Sequence, residues 1–259
     1  MEKNDLFSLK DYVSVVTGAA GGLGESIACG LARYGSSIVL LDLDLERIKK
    51  VWEKVEGEGV KALGLHCDVT NYSQVEASLE ETIKAFGKVD VLVNCAGITA
   101  RGKAEEIGIE DWTKVISVNL TGVFFCCQVF GRHFIRQGKG NIINIASVVG
   151  QRGLFHPLDL ASPYCASKGG VIQLTRALAA EWAKYNIRVN AIAPTYFLTD
   201  MTRSLLENPE FSGYLKWKIP LGRPGRPEEI VGPVVFLASE ASSMITGHVL
   251  NVDGGWTAI

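Results

Sequence analysis

Histidine is scarce in this 259-residue chain, and its four copies, His66, His133, His156 and His248, are too scattered to give a metal-ligand spacing. No catalytic metal is expected, because such sites need clustered nitrogen, sulfur and carboxylate donors. The six cysteines (Cys29, Cys67, Cys95, Cys126, Cys127 and Cys165) include no C-x-x-C pair, so buried reduced thiols in a cytoplasmic protein are the expectation. Basic runs are missing as well: 26 Lys and Arg are dispersed among 28 Asp and Glu, for a net charge of −2. That balance gives no footing to a nucleic-acid surface. No apolar stretch approaches the ~20 residues that span a bilayer, so no membrane association is expected. The polar start Met1-Glu2-Lys3-Asn4-Asp5 is not followed by a segment resembling a signal peptide. Internal repeats, low-complexity tracts and linkers are absent too.

What is present is 47% hydrophobic content and 28 glycines in a length suited to one large α/β domain rather than two small ones. Short apolar runs alternate with longer amphipathic segments, which predicts a doubly wound parallel sheet of about seven strands with helices on both faces. Strands are expected at 13–16, 37–41, 61–66, 89–94, 141–146, 188–192 and 249–252. Helices are expected at 24–34, 45–57, 72–86, 111–137, 163–185 and 228–238. Asn71 and Asp111 stand where N-caps belong, and Pro227 fits a first helical turn. The longest irregular stretch, at about 195–226, is expected to fold over a ligand as a flap within the single domain 1–259.

Two local patterns carry chemistry. The turn Thr17-Gly18-Ala19-Ala20-Gly21-Gly22-Leu23-Gly24 directly follows the apolar run Val13-Ser14-Val15-Val16. A strand that turns sharply into a helix, with glycines allowing close backbone approach, suits the pyrophosphate of a dinucleotide. Further on, Tyr164 follows Ser147 by seventeen positions and precedes Lys168 by four. An offset of four sets a phenol and an ammonium on one helix face about one turn apart.

Together with Asn94-Cys95-Ala96-Gly97, Asn119 and the terminal Val252-Asp253-Gly254-Gly255-Trp256, these motifs resemble the short-chain dehydrogenase/reductase family from about residue 8 to the end. The resemblance implies NAD(P)-dependent interconversion of a secondary alcohol and a ketone. Tyr164 would be the general acid/base, Lys168 its electrostatic partner and a ligand of the nicotinamide ribose. Ser147 would donate to the substrate oxygen, and Asn119 would hold a water linking Lys168 to solvent. A phenol ionises only near pH ~10, so Lys168 and the positive nicotinamide ring are expected to favour its phenolate.

Cofactor contacts are expected from Gly18, Gly22, Leu23 and Gly24 at the pyrophosphate, with Asp42 and Leu43 at the adenosine ribose. Asp68 and Val69 would meet the adenine. Asn94, Ala96 and Gly97 would line the central ribose, and Pro194, Phe197 and Thr199 the nicotinamide, alongside Tyr164 and Lys168. An acidic residue at the end of the second strand accepts ribose hydroxyls and repels a 2′-phosphate, so NAD is expected ahead of NADP. Plainer roles stand beside these. Asp42 could cap the next helix, Asp68 could start a loop, and Asn94 could hold the sheet together. Ser147 could cap a turn, Tyr164 could pack in the core, Lys168 could sit on a solvated face and Asn119 could pack quietly.

The chain departs from the family pattern twice. The stretch between Ser147 and Tyr164 is about four residues longer, through Gln151-Arg152-Gly153-Leu154-Phe155-His156-Pro157-Leu158-Asp159-Leu160, and Thr195 replaces a usual glycine. The longer loop makes Ser162 a competitor for the serine role, but it abuts Pro163 and misses the strand end, so Ser147 is retained. The carboxy-terminal pattern and Arg101 resemble gluconate 5-dehydrogenases and related sugar-acid dehydrogenases, which implies that Arg101 meets a substrate carboxylate. A solvated Arg101, with Arg152 or His156 taking that part, is the alternative. Other readings are a 3-oxoacyl-carrier-protein reductase using NADPH and a non-catalytic nucleotide-binding regulator. The resemblance also implies a homotetramer in which the 111–137 and 163–185 helices pair.

Overall fold

The computed structural model describes residues 5–259. Seven parallel strands form one sheet in the order β3-β2-β1-β4-β5-β6-β7. They are β1 Val13–Thr17, β2 Ser37–Asp42, β3 Ala62–His66, β4 Val91–Asn94, β5 Gly140–Ile145, β6 Ile187–Pro194 and β7 Val249–Val252. Residues of β1, β4 and β5 are buried throughout, because helices cover both faces of the sheet. One face packs Val16, Ile38, Leu40 and Val93 against helices α1 (Gly22–Arg33) and α9 (Val231–Ala238). The other packs Val15, Val39, Leu92 and Ile142 against α5 (Val123–Gln137) and α6 (Ser162–Trp182).

Local chemistry sets most helix ends. Helix α2 (Leu45–Gly57) starts at Asp44, whose carboxylate accepts from the Arg47 amide at 3.0 Å. Helix α3 (Tyr72–Phe86) is capped by Asn71, as its sequence indicates, and ends on Gly87 at φ 78°. Asp111 is no cap. Helix α4 (Ile109–Ile116) begins earlier, after Gly108, so Asp111 sits in its first turn.

The expected 111–137 helix is one rod in three parts: α4, a π-helical turn at Ser117–Gly122, then α5. Asn119 lies in the π turn, where the widened backbone lets its side chain enter the core. By length and composition Ile109–Gln137 would suffice to cross a bilayer, contrary to the reading of the sequence. Here half of its apolar window is buried, and Cys126, Val129, Phe130 and Phe134 pack on the sheet. Within the 195–226 stretch, the short amphipathic pieces 201–206 and 211–217 are helical. They lie in α7 (Asp200–Leu206) and α8 (Pro209–Lys218), the latter capped by Asn208.

Candidate active site

The strand order reverses between β1 and β4, and the connections leaving their carboxyl ends diverge there into a cleft of about 560 Å³. Gly18, Gly22, Leu23 and Gly24 line it from the first turn, Asp42 from the end of β2 with Leu43 just after it, and Asp68 and Val69 from the segment after β3. Ala96 and Gly97 line it after β4, Tyr164 and Lys168 from α6, and Thr199 ahead of α7. The turn leaves no room for a side chain at Gly24. A Cβ on Gly24 would stand 2.0 Å from the Gly18 carbonyl oxygen, and Gly18 itself has φ +66°. Close backbone at a helix N-terminus is what a pyrophosphate needs, so that part of a dinucleotide fits this cleft.

Asp42 is held at the cleft edge by two backbone donors, Ala20 at 3.0 Å and Asp44 at 3.2 Å. It braces the glycine turn while lining the ribose end. Asp68 both lines the cleft and accepts from the Thr70 amide and hydroxyl at 2.9 and 2.7 Å, so it also shapes its own loop.

Three expected cofactor residues lie elsewhere. Asn94 is buried beneath the cleft and donates to Asn144 Oδ1 at 2.9 Å, the sheet-holding role. Phe197 is buried in the core because its ring fills the space beside Gly225. Pro194 ends β6, and its carbonyl accepts from the Ser147 hydroxyl at 3.3 Å. A further correction concerns the adenosine end. Only Asp42 and Leu43 were expected at the adenosine ribose, yet Arg47, in the first turn of α2, lines the cleft and pairs with Asp200 at 3.2 Å. The Asp44 cap sets where α2 begins, and that turn carries Arg47 to the cleft edge.

The four expected catalytic side chains converge. Lys168 is buried, donates to the Ile145 carbonyl at 2.7 Å, and places Nζ 5.6 Å from the Tyr164 ring centre. Burial pushes its ammonium down to about 8. Tyr164 keeps part of its surface open to the cleft, but its surroundings are dense. Burial pushes its phenol up to about 12, while the Ser147 hydroxyl and the Arg101 charge act the other way. Desolvation is the largest influence on the phenol, and the expected push toward phenolate combines Lys168 with the positive nicotinamide ring. Asn119 exchanges hydrogen bonds with the Ile98 backbone, both at 2.8 Å, and donates to Ser167 at 3.1 Å. Ser162 is exposed at the start of α6 and lines neither cavity.

Beyond Ser147 and Tyr164 a smaller cavity of about 60 Å³ opens, walled by Arg101, Asp159, Tyr196, Met201 and Thr202 among others. Arg101 reaches it but is not free, because its Nε donates to Asp159 Oδ1 at 3.0 Å and its Nη2 to the Met201 carbonyl at 3.4 Å. The Tyr196 hydroxyl donates to the other Asp159 oxygen. A backbone bridge between Gly102 and Ala161 keeps the two loops in register. Neither proposed stand-in reaches the cavity. Arg152 turns to the carboxy-terminal carbonyls of Thr257 and Ile259, both at 2.6 Å. His156 is buried between Phe211 and Tyr214, with ring centres 5.1 and 4.6 Å away. The long loop thus packs on α8 and the carboxy terminus. Asp159 and Tyr196 had no local signal, since their role depends on partners 58 and 37 positions away. Thr195 Oγ1 is buried in the same region without a hydrogen-bond partner.

Comparison with known proteins agrees with this architecture. The family pattern described as enoyl-(acyl carrier protein) reductase matches residues 18–257. The chain is 42% identical over 252 residues to a 5-keto-D-gluconate 5-reductase of Escherichia coli, covering 97% of this chain and 98% of that one. It is 42% identical to a gluconate 5-dehydrogenase of Gluconobacter oxydans, covering 99% of each. A solved gluconate 5-dehydrogenase from Burkholderia cenocepacia, in complex with NADP and tartrate, superposes with a TM-score of 0.93 at 39% identity, covering 98% of each chain. The chain belongs to the short-chain dehydrogenase/reductase family and is an oxidoreductase acting on a CH–OH group.

Proposed function

We propose that the protein interconverts a secondary alcohol and a ketone on a small polyhydroxylated substrate, a sugar acid in the manner of gluconate 5-dehydrogenase or a related polyol. The observation that carries this reading is the convergence of Ser147, Tyr164 and Arg101 on one cavity that adjoins the dinucleotide cleft. Its sugar-acid similarity gives the substrate class.

The bound nicotinamide would supply the hydride chemistry. The chain's own residues do the rest. Ser147 donates a hydrogen bond to the substrate oxygen, where negative charge builds during oxidation. Tyr164 takes the hydroxyl proton in oxidation and returns it in reduction. With its pKa raised to about 12 the phenol is ready as the acid of reduction, and positive charge placed against it prepares it as the base. Lys168 keeps hydrogen-bond capacity beyond the Ile145 carbonyl and aims it into the cleft. Asn119 secures the Ile98 backbone beside them. The 195–226 segment covers the substrate, as Tyr196, Met201 and Thr202 support by lining the cavity.

NAD is the preferred cofactor in this reading, on the strength of Asp42 and the aliphatic Leu43. Arg47 works against this preference, and solved relatives with NADP bound weigh toward NADP. A cytoplasmic homotetramer completes it, supported by six free cysteines and by the outward Trp112 and Phe124 of the Ile109–Gln137 rod. Incubating the protein with NAD or NADP and a panel of sugar acids and polyols, with absorbance at the NADH band as readout, tests the reading. Formation of reduced cofactor with at least one polyhydroxylated substrate is expected. No response from any pairing, in either direction, would sink it.

A further inference from the structure

Among the described residues lining the substrate cavity, only Arg101 and Asp159 carry formal charge, and they are paired with each other. The pairing is built rather than incidental. The Asp159 side chain is 5% exposed, and both its oxygens are engaged, one by Arg101 Nε and the other by the Tyr196 hydroxyl. The Gly102–Ala161 bridge and the Gly102 amide bond to the Leu160 carbonyl at 2.9 Å fix the two loops that carry the pair. The cation that would attract a substrate carboxylate therefore comes with an anion a few ångströms away, and Arg152 and His156, which could have added positive charge, are turned elsewhere.

We propose that Asp159 is a specificity-determining residue: by balancing Arg101 it keeps the substrate cavity electrically neutral, so that uncharged polyols compete with sugar acids for one site. The inference deepens the polyol or sugar-acid reading above and rests on it. Asp159 acts through Arg101 and is a positioning residue rather than a catalytic one. A carboxylate bound to the free edge of the guanidinium would feel both the attraction of Arg101 and the repulsion of Asp159. Like charges several ångströms apart in a partly buried site are worth on the order of tenfold in affinity.

Asp159→Asn tests this, because the amide retains an acceptor for Arg101 and the side-chain shape while losing the charge. The probes are D-gluconate and D-glucitol, the same six-carbon chain with and without a carboxylate. Their affinities for the protein–NADH complex are measured by calorimetry, which needs no turnover, and their kcat/KM values beside it. The expected result is a gluconate-to-glucitol ratio about tenfold higher in Asp159→Asn and restored toward the wild-type value in Asp159→Glu. An unchanged or lowered ratio in Asp159→Asn would overturn the proposal, as would equal losses for both probes or no binding of either to the wild type. If the wild type binds both probes and turns over neither, the reaction assigned above fails while the ratio still decides this inference.

Discussion

On the cofactor side of the cleft, the turn after β1 brings backbone against backbone, and a single Cβ at Gly24 would collide with the Gly18 carbonyl. On the substrate side the wall is made of side chains drawn from far apart: Arg101 after β4, Asp159 from the long loop, and Tyr196 and Met201 from the segment after β6. The first half is specified by the path of the main chain, so many sequences can share it. The second is specified by which side chains meet, so a change of loop length rewrites it. This is why the chain's reaction class follows directly from its family while its substrate does not.

The sharpest way to break that division is Tyr164→Phe, since Tyr164 lines both cavities. The ring is retained and only the proton-transfer group is lost. Turnover should fall by about 10²- to 10⁴-fold, the usual worth of general acid–base catalysis. Cofactor affinity, measured by titration, should stay within a few-fold because backbone and cleft are untouched. Undiminished turnover would remove Tyr164 from the chemistry, and a parallel collapse of cofactor affinity would mean that the two halves are not separable.

The same division explains what could be read from the sequence. The seven strands and the glycine turn were legible because apolar runs and glycine spacing are local signals of chain path. Tyr164 and Lys168 were legible because their offset of four is itself a geometry. Asp159 and Tyr196 were not, since neither has a neighbour in sequence that reveals its partner. Arg101 was legible as a cation near the site but not as a cation already paired. Phe197 misled because its motif position lies beside the cleft while its ring turns to the core. The π turn at Ser117–Gly122 was hidden as well, because its hydrogen-bond shift leaves the apolar periodicity nearly intact.

Gly24→Ala sharpens the comparison from the cofactor side. The clash is with a backbone oxygen, which cannot rotate away as the end of a flexible side chain could. Overpacking of this kind costs about 1–3 kcal/mol, or about 5- to 150-fold if it falls on the cofactor-binding conformation. Cofactor affinity should drop by that factor, while kcat at saturating cofactor changes much less. A variant that binds cofactor as well as the wild type would show that the turn relaxes, and that bare backbone there is not a requirement.

The smallest expected effect lies at an exposed ion pair between α2 and α7 at the cofactor cleft. Arg47 in α2 holds Asp200 at the start of α7, with the side chains 50% and 65% exposed. So open a pair is worth at most about 1 kcal/mol, and it gives way cheaply to a better partner. A 2′-phosphate at the ribose end would be one, because Arg47 lines that end and a guanidinium donates two parallel bonds to a phosphate. Asp42 opposes the same phosphate, and the balance between the two sets the preference. Arg47→Ala should therefore lower kcat/KM for NADP by about tenfold, a charged hydrogen bond discounted for exposure. For NAD, which has no phosphate to lose, the change should stay within about twofold, and the gap between the cofactors should widen. Should both cofactors lose activity in step, Arg47 would be a fastener between α2 and α7. Asp42 would then be left to set the choice of cofactor alone.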